Sequence, residues 1–320
     1  MKQAEFCEIE GMKVGHAQDF KAATGCTVVL CEEGAVAGVD VRGGSPGTRE
    51  TDALNPVNLR AAIHAVLLAG GSAFGLDAAA GVMQYLEERG VGRDVKVAKI
   101  PIVCGAILFD LKCGDSGVRP DKKMGYEACR NASAGPVPVG SVGAGTGATI
   151  GKVRGPGHAM KGGIGSFCLQ AGDLKVGAVM AVNCVGDIFD ERENGLIAGV
   201  LNDDRTVGDS EALMLENYRD DTDIFSGNTV IGVVATNADF TKAQANKLAS
   251  VSQNGIARTV RPAHTTFDGD TIFTMATGRV KADPNAAGIL AVRAVENAIL
   301  RAVKSAESLG GYPAYRDLIK

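Results

Sequence analysis

The sequence predicts an α+β fold of stacked sheets with helices on the outside. Three observations carry this. β-branched and apolar runs of strand length recur over most of the chain. Helical stripes are fewer and lie apart, near residues 76–89, 241–254 and from 284 onward. Strands and helices are mixed without strict βαβ alternation, which argues against a doubly wound parallel sheet. No Pro/Gly/Ser-rich linker divides the 320 residues, and no internal repeat is present.

Taken in order, Val14 to Ala22 reads as strand and turn. Cys26–Cys31 and Ala35–Val41 read as two strands joined by a turn at Glu32-Glu33-Gly34, a hairpin. Arg42 to Asp52 is a loop rich in Gly and charge, for which a solvated crossing is the favoured reading. Ala61 to Leu68 is apolar and fits either a helix or a strand. A helix runs from about Leu76 to Arg89, with Leu76, Ala79, Ala80, Met83 and Leu86 on its stripe and Gly90 placed to cap it. Val95 to Ala106 is strand-like around Pro101. Val176 to Val185 is a strand that carries Asn183 among apolar neighbours. Thr241-Lys242-Ala243-Gln244 is a capping box that opens a helix to about Asn254, ended by Gly255. His264 to Gly278 is a turn feeding a strand. Asp283-Pro284 caps a last long helix with Leu290, Ala294, Val295, Ala298, Ile299, Ala302 and Val303 on its stripe.

Composition excludes several function classes. Hydrophobic residues make up 45% and charged residues 22%, as in ordinary globular proteins. A net charge of −4 gives no basic footprint for nucleic acid. No apolar run approaches the length of a membrane span, and Met1 to Phe6 has no apolar signal core. The eight cysteines form no Cys-x-x-Cys, and with the four lone histidines His16, His64, His158 and His264 they give no metal-ligand spacing. The expectation is a cytoplasmic protein with reduced thiols and neither metal nor cofactor. The Gly-rich stretch Val137 to Gly165 tempts a nucleotide-loop reading. It fails as a P-loop because Val153 follows Gly151-Lys152 and Thr146 stands where the first Gly belongs. Close packing of strands through glycine explains it better.

The step from Ser226-Gly227-Asn228 into Thr229-Val230-Ile231-Gly232-Val233-Val234-Ala235 holds the chemistry. A polar, acidic run from Asn217 to Asp223 precedes it and reads as an exposed loop. A hydroxyl residue thus opens a core strand directly after a Gly-containing segment. Self-cleavage that leaves an N-terminal nucleophile needs this layout. The hydroxyl attacks the preceding carbonyl, and the freed α-amine, which titrates at about 7.7–8.0 in model peptides, then serves as the base. Taken alone, Asn-Thr before a strand is a weak signal. Asp268 and Asp270, one residue apart, point to one face if their segment is extended, and could together hold an ammonium or hydroxyl. A solvated Asp-Gly-Asp turn is the plainer alternative. Asn183, if buried in its strand, must hydrogen-bond something, either a neighbouring loop or a developing oxyanion.

Several segments together resemble a known family: Arg42 to Asp52, Gly70-Gly71-Ser72-Ala73-Phe74-Gly75 to Val82, Lys161-Gly162-Gly163-Ile164-Gly165, Asn228-Thr229, and Phe267-Asp268-Gly269-Asp270. They look like the L-aminopeptidase/D-esterase (DmpA-type) family of self-processing hydrolases, over about Gly11 to Ala306. Asn-Thr with two Asp is similar to its nylon-oligomer hydrolase branch. The aminopeptidase branch instead has Gly-Ser at the cleavage point, with Ser and Glu at the two Asp positions.

The resemblance implies a four-layer αββα sandwich, like N-terminal-nucleophile hydrolases with different connectivity. It implies one domain cut between Asn228 and Thr229 into chains 1–228 and 229–320, in a homo-oligomer, a tetramer. It implies Thr229 as nucleophile, Asp268 and Asp270 as its orienting pair, Asn183 as an oxyanion donor and Lys152 as a lysine near the nucleophile. Phe109 matches a substrate-side tyrosine whose hydroxyl is missing here, so it stays outside the catalytic set. The implied partner is a small peptide or oligoamide. An acyltransferase of the ornithine acetyltransferase type and an unprocessed, non-catalytic binding protein remain as alternatives.

Overall fold

The computed structural model describes residues 1–193, 195–217 and 227–318. The acidic run after Asn217 and Ser226 lie outside the described residues. Eight main strands are numbered here in chain order: β1 Met12–Asp19, β2 Thr24–Val41, β3 Ile63–Ala69, β4 Val103–Ile107, β5 Gly163–Ala171, β6 Leu174–Asn183, β7 Thr229–Ala238 and β8 Thr271–Val280. Four helices pack on them: α1 Ala78–Glu88, α2 Lys122–Arg130, α3 Lys242–Thr259 and α4 Pro284–Lys304.

The strands form two sheets that share β2. Its second half pairs with β8, which continues through β7 and β6 to β5. Its first half pairs with β1 and β3, and β3 continues to β4. Side-chain alternation then sorts the apolar residues into three cores. On β6, Val176, Ala178, Met180 and Val182 face α3 and α4, while Val179 and Ala181 face the other sheet. On β2, Val29 and Cys31 face inward, while Cys26, Val28 and Leu30 face α1 and α2. The layers are therefore helix, sheet, sheet, helix, the αββα sandwich the resemblance implies.

Three local expectations differ from the structure, and one ambiguity is resolved. Glu32-Glu33-Gly34 is not a hairpin turn. The strand runs on through it, with a register shift between Leu30 and Ala35 and Gly34 at φ 87°, so the segment bends β2 from one sheet into the other. The ambiguous run 61–68 resolves to strand from Ile63 onward, in β3. α1 begins at Ala78 after a 3₁₀ turn over Ser72–Asp77, and the tighter turn rotates its buried face onto Ala78, Ala79, Val82, Tyr85 and Leu86, leaving Ala80 and Met83 half-buried. α3 passes straight through Gly255, where a Cβ would stand 2.7 Å from Val292 O and from Val295 Cβ of α4. Gly255 permits that close helix contact instead of ending the helix. α2 escaped the sequence reading because it is short and its middle is Gly125; Asp121 caps it by accepting from the Met124 N–H at 2.8 Å.

Topology gathers one end of the sheet. β6 ends at Asn183, β7 starts at Thr229 opposite it, and β8 starts alongside in parallel, directly after Asp268-Gly269-Asp270. No helix among the described residues is long and apolar enough to cross a membrane.

Candidate active site

Thr229 is buried at the head of β7, and its hydroxyl donates to the carbonyl of Asn228. The same carbonyl oxygen accepts the Gly269 N–H at 2.9 Å. Asn228 bridges Asp268 in parallel register, and its side chain is fully buried with neither amide atom hydrogen-bonded. The peptide bond between Asn228 and Thr229 is thus held beside both the hydroxyl that would attack it and a main-chain donor to its oxygen.

Asn183, opposite Thr229, is fully buried. Its Oδ1 accepts the Thr149 N–H at 2.9 Å, which orients the amide. Its Nδ2 donates to Gly227 O at 3.0 Å and Phe109 O at 3.1 Å. The sequence left a choice between a loop bond and an oxyanion donor. The structure shows the loop bonds, and one of them ends on the residue just before Asn228. Lys152 follows a short strand, Thr149–Ile150, and its backbone N–H reaches Val185 O at 3.0 Å, just past the end of β6. Its Nζ donates to Asn183 O at 2.8 Å and Gly227 O at 3.3 Å. Burial of this ammonium pushes its pKa down to about 7.

The two aspartates are buried, so they are not a solvated turn. They take separate partners. Asp268 Oδ2 accepts the N–H and hydroxyl of Thr265, both at 2.6 Å, and Oδ1 has no partner. Burial, and then the neighbouring Asp270 charge, push the Asp268 carboxyl up to about 6. Asp270 Oδ1 accepts the Val230 N–H at 2.6 Å, and Oδ2 accepts from His264 through its N–H at 3.1 Å and Nδ1 at 2.8 Å.

The loop after β2 is exposed at Arg42, Gly44, Ser45 and Pro46, yet its main chain is bonded to the site. The N–H groups of Arg42 and Gly43 donate to Asp270 O at 2.8 and 3.2 Å, Ser45 N–H to Asp268 O at 2.8 Å and Gly44 N–H to Thr265 O at 3.2 Å. A Cβ on Gly43 would stand 2.2 Å from Asp268 O, so only glycine lets the loop lie this close. Its lack of apolar periodicity reflects main-chain support of the site. The Gly-rich stretch packs as expected: a Cβ on Gly145 would meet Ile164 N at 2.2 Å, and one on Gly162 would meet Val182 O at 2.0 Å. Lys161 is buried against the protein's own carbonyls, Ala148 O at 2.5 Å and Gly145 O at 3.3 Å.

Cysteine gives no competing nucleophile among the described residues. All eight thiols are free, and burial pushes those of Cys26, Cys104, Cys129, Cys168 and Cys184 well up, away from thiolate. No group of three or more His, Cys, Asp or Glu among the described residues is placed to hold a metal.

The sequence profile of peptidase family S58 matches residues 5–316. The chain belongs to peptidase family S58. It is 41% identical to an uncharacterized aminopeptidase of Mycobacterium leprae, over 96% of this chain and 92% of that one. It is 32% identical to the 6-aminohexanoate-oligomer endohydrolase of a Kocuria species, over 93% of this chain and 85% of that one. The solved structure of the L-aminopeptidase D-Ala-esterase/amidase of Ochrobactrum anthropi, a variant of the Ntn-hydrolase fold, superposes with a TM-score of 0.72 at 18% identity, over 97% of this chain and 88% of that one. A Burkholderia β-aminopeptidase superposes with a TM-score of 0.69 at 21% identity, over 98% of this chain and 92% of that one. These two likenesses establish the fold. As an S58 member the chain is an amide-bond hydrolase, not a non-catalytic binding protein.

The five residues singled out from sequence, Lys152, Asn183, Thr229, Asp268 and Asp270, all lie around the Asn228–Thr229 bond or one hydrogen bond from it. Sequence reasoning missed the Gly269 N–H, the Phe109 carbonyl and His264. The first two are main-chain groups that any residue could supply. His264 had a neighbouring signal, since it stands four residues before Asp268 in the same turn.

Proposed function

We propose that this S58 hydrolase cuts itself between Asn228 and Thr229, and that the freed Thr229 then hydrolyses amide bonds of small peptides or peptide-like oligoamides. The observation that carries the reading is the buried Thr229 hydroxyl lying on the Asn228 carbonyl, whose oxygen also accepts the Gly269 N–H.

In the first reaction Thr229 Oγ1 attacks the Asn228 carbonyl carbon and gives its proton to a base in the pocket. Lys152, whose pKa burial pushes down to about 7, has an uncharged fraction at neutral pH that suits this task. The bond from the carbonyl carbon to the Thr229 nitrogen breaks, the nitrogen takes a proton, and an ester joins Asn228 to Thr229 Oγ1. Water adds to the ester, releasing the Asn228 carboxylate and restoring the hydroxyl. In the second reaction the same oxygen attacks a substrate amide, with the Thr229 α-amine as base. The substrate's amine leaves with the proton, and water hydrolyses the acyl-enzyme. The partnerless Oδ1 of Asp268 is the carboxylate oxygen left to meet the new α-amine, while Asp270 fixes the strand through Val230.

The names of the relatives support water as the acyl acceptor. Transfer of an acyl group to ornithine or glutamate at a rate above hydrolysis would favour the acyltransferase instead. The deciding experiment is intact mass and N-terminal sequencing of purified protein. Two co-purifying chains, 1–228 and 229–320, are expected. Thr229→Ala is expected to stay one folded, inactive chain, and Thr229→Ser to retain cleavage because it keeps the hydroxyl. A single intact chain in fresh and aged wild-type samples alike would overturn the reading.

A further inference from the structure

Asparagine is an unfavourable residue for position 228 on packing grounds. The Asn228 side chain is fully buried, and neither Oδ1 nor Nδ2 has a hydrogen-bond partner among the described residues. A buried polar group left unpaired costs about 1–3 kcal/mol, and an apolar side chain of the same shape would avoid that cost. An unpaired buried amide therefore calls for a chemical explanation. Nδ2 has an electrophile within its own residue, the Asn228 carbonyl carbon, onto which it can close a five-membered imide ring. That carbonyl is also the one presented for attack, since its oxygen accepts the Gly269 N–H at 2.9 Å and the Thr229 hydroxyl lies on it.

The surroundings favour a nucleophile from within. Asn228 is 0% exposed and Thr229 4% exposed, so an ester between them has little contact with bulk solvent. An ester is also a better electrophile than the peptide bond it replaces. A well-oriented group in the same molecule acts at an effective concentration of about 10⁵–10⁸ M, which lets a weak nucleophile such as an amide compete with water. Asn228 bridges Asp268 in parallel register, and Oδ1 of Asp268 is likewise without a partner among the described residues. A carboxylate oxygen on the paired segment can thus take a proton from the amide.

We propose that Asn228 is a catalytic residue of the self-cleavage: its side-chain amide opens the Asn228–Thr229 ester, and chain 1–228 first ends in a C-terminal succinimide. This rests on the self-cleavage reading and replaces only the water in its ester-opening step. Nδ2 bonds to the Asn228 carbonyl carbon, and the bond from that carbon to Thr229 Oγ1 breaks. One Nδ2 proton passes to Asp268 and a proton is taken up by Oγ1, which restores the nucleophile's hydroxyl without consuming water. Water opens the imide later. Opening at the backbone carbonyl gives asparagine with a C-terminal carboxylate. Opening at the side-chain carbonyl gives isoasparagine, with a side-chain carboxylate and a C-terminal carboxamide.

The test is the C-terminus of chain 1–228 in freshly matured wild-type protein, quenched in acid, where the imide persists. Its mass is measured, and its C-terminal peptide is compared with synthetic peptides ending in asparagine, isoasparagine and the imide. The expected product is one water lighter than the carboxylate form and decays to a mixture that contains isoasparagine. Asn228→Leu keeps the approximate size of the side chain and removes the nucleophile. It is expected to form the ester but to release the two chains at least about tenfold more slowly. Neutral hydroxylamine, which cleaves esters, should restore release and leave a hydroxamate at position 228. A wild-type C-terminus that is asparagine carboxylate alone from the earliest time point overturns the proposal and leaves self-cleavage by water standing. Release by Asn228→Leu at the wild-type rate overturns it as well. Wild-type protein without any Thr229 N-terminus overturns the self-cleavage reading and the proposal with it.

Discussion

At Gly269 a single missing methyl group decides the geometry of the scissile bond. A Cβ there would lie 2.9 Å from Thr229 Oγ1 and 3.0 Å from Ser45 O, so alanine must push the hydroxyl away from the carbonyl it faces. Displacements of about 1 Å at reacting atoms slow reactions by about a hundredfold, and Gly269→Ala is expected to slow self-cleavage by about that factor. A time course of chain cleavage beside a thermal melt checks this; cleavage at the wild-type rate would remove Gly269 from the argument. The neighbouring carboxyls carry a second expectation. Asp270 meets Val230 and His264, so its charge acts on Asp268, whose pKa it helps to raise to about 6. Removing that charge by Asp270→Asn eases ionisation of Asp268 and shifts its titration to lower pH. In matured protein the base is the Thr229 α-amine, and loss of a negative charge near it favours its neutral form, so the acid limb of turnover should move to lower pH, read from pH profiles of both proteins. Four residues of this site were legible in sequence as side chains of unusual type for their place: Thr at a strand head, Asn within an apolar strand, Asp on both sides of a glycine. Lys152 entered only through the family resemblance. Their partners were not legible. Extended geometry put both aspartates on one face, whereas the structure turns one toward Thr265 and the other toward Val230.

Elements were legible wherever periodicity alone defines them. The stripe of α4 and the capping box of α3 appear as expected, with the Thr241 hydroxyl accepting the Gln244 N–H and the Gln244 side chain accepting the Thr241 N–H. They were misread where glycine acts through tertiary contact. Gly34 bends β2 between two sheets and Gly255 lets α3 touch α4, and both look like breakers in a sequence. The second case is testable. Gly255→Val would force side-chain atoms into Val292 O and Val295, both 2.7 Å from the position of the new Cβ. Overpacking of this kind costs about 1–3 kcal/mol, so Tm should fall by several degrees. Self-cleavage of the folded protein should stay at the wild-type rate, because the contact lies in the outer helix layer. An unchanged or raised Tm would mean the helices can separate freely there.

Across the described residues the three main apolar cores leave ionisable groups buried among the sheet ends, and these tie stability to pH. Burial pushes Asp187 and Asp268 up to about 6. The folded state then binds more protons than the unfolded one between about pH 4 and pH 6, and stability falls as pH rises through that window. Burial pushes Lys152 down to about 7 and Lys161 down to about 8. For these the unfolded state binds more protons, so stability rises from about pH 7 towards about pH 10. Lys152→Met isolates one contribution, since methionine keeps the length of the side chain without the charge. It is best made in the Thr229→Ala background, which is expected to remain one chain and so to unfold as one. At about pH 6 the parent holds a buried ammonium and the variant does not; at about pH 9.5 the parent's amine is neutral when folded, and most of that advantage is gone. The stability of the variant relative to its parent should therefore drop by on the order of 3 kcal/mol between those two conditions. Lost hydrogen bonds to Asn183 O and Gly227 O shift both values together and leave the difference intact. Denaturant unfolding at the two pH values measures it. A difference independent of pH would mean that Lys152 stays charged in the folded chain throughout, and the uncharged amine invoked for self-cleavage would have to be replaced by another base.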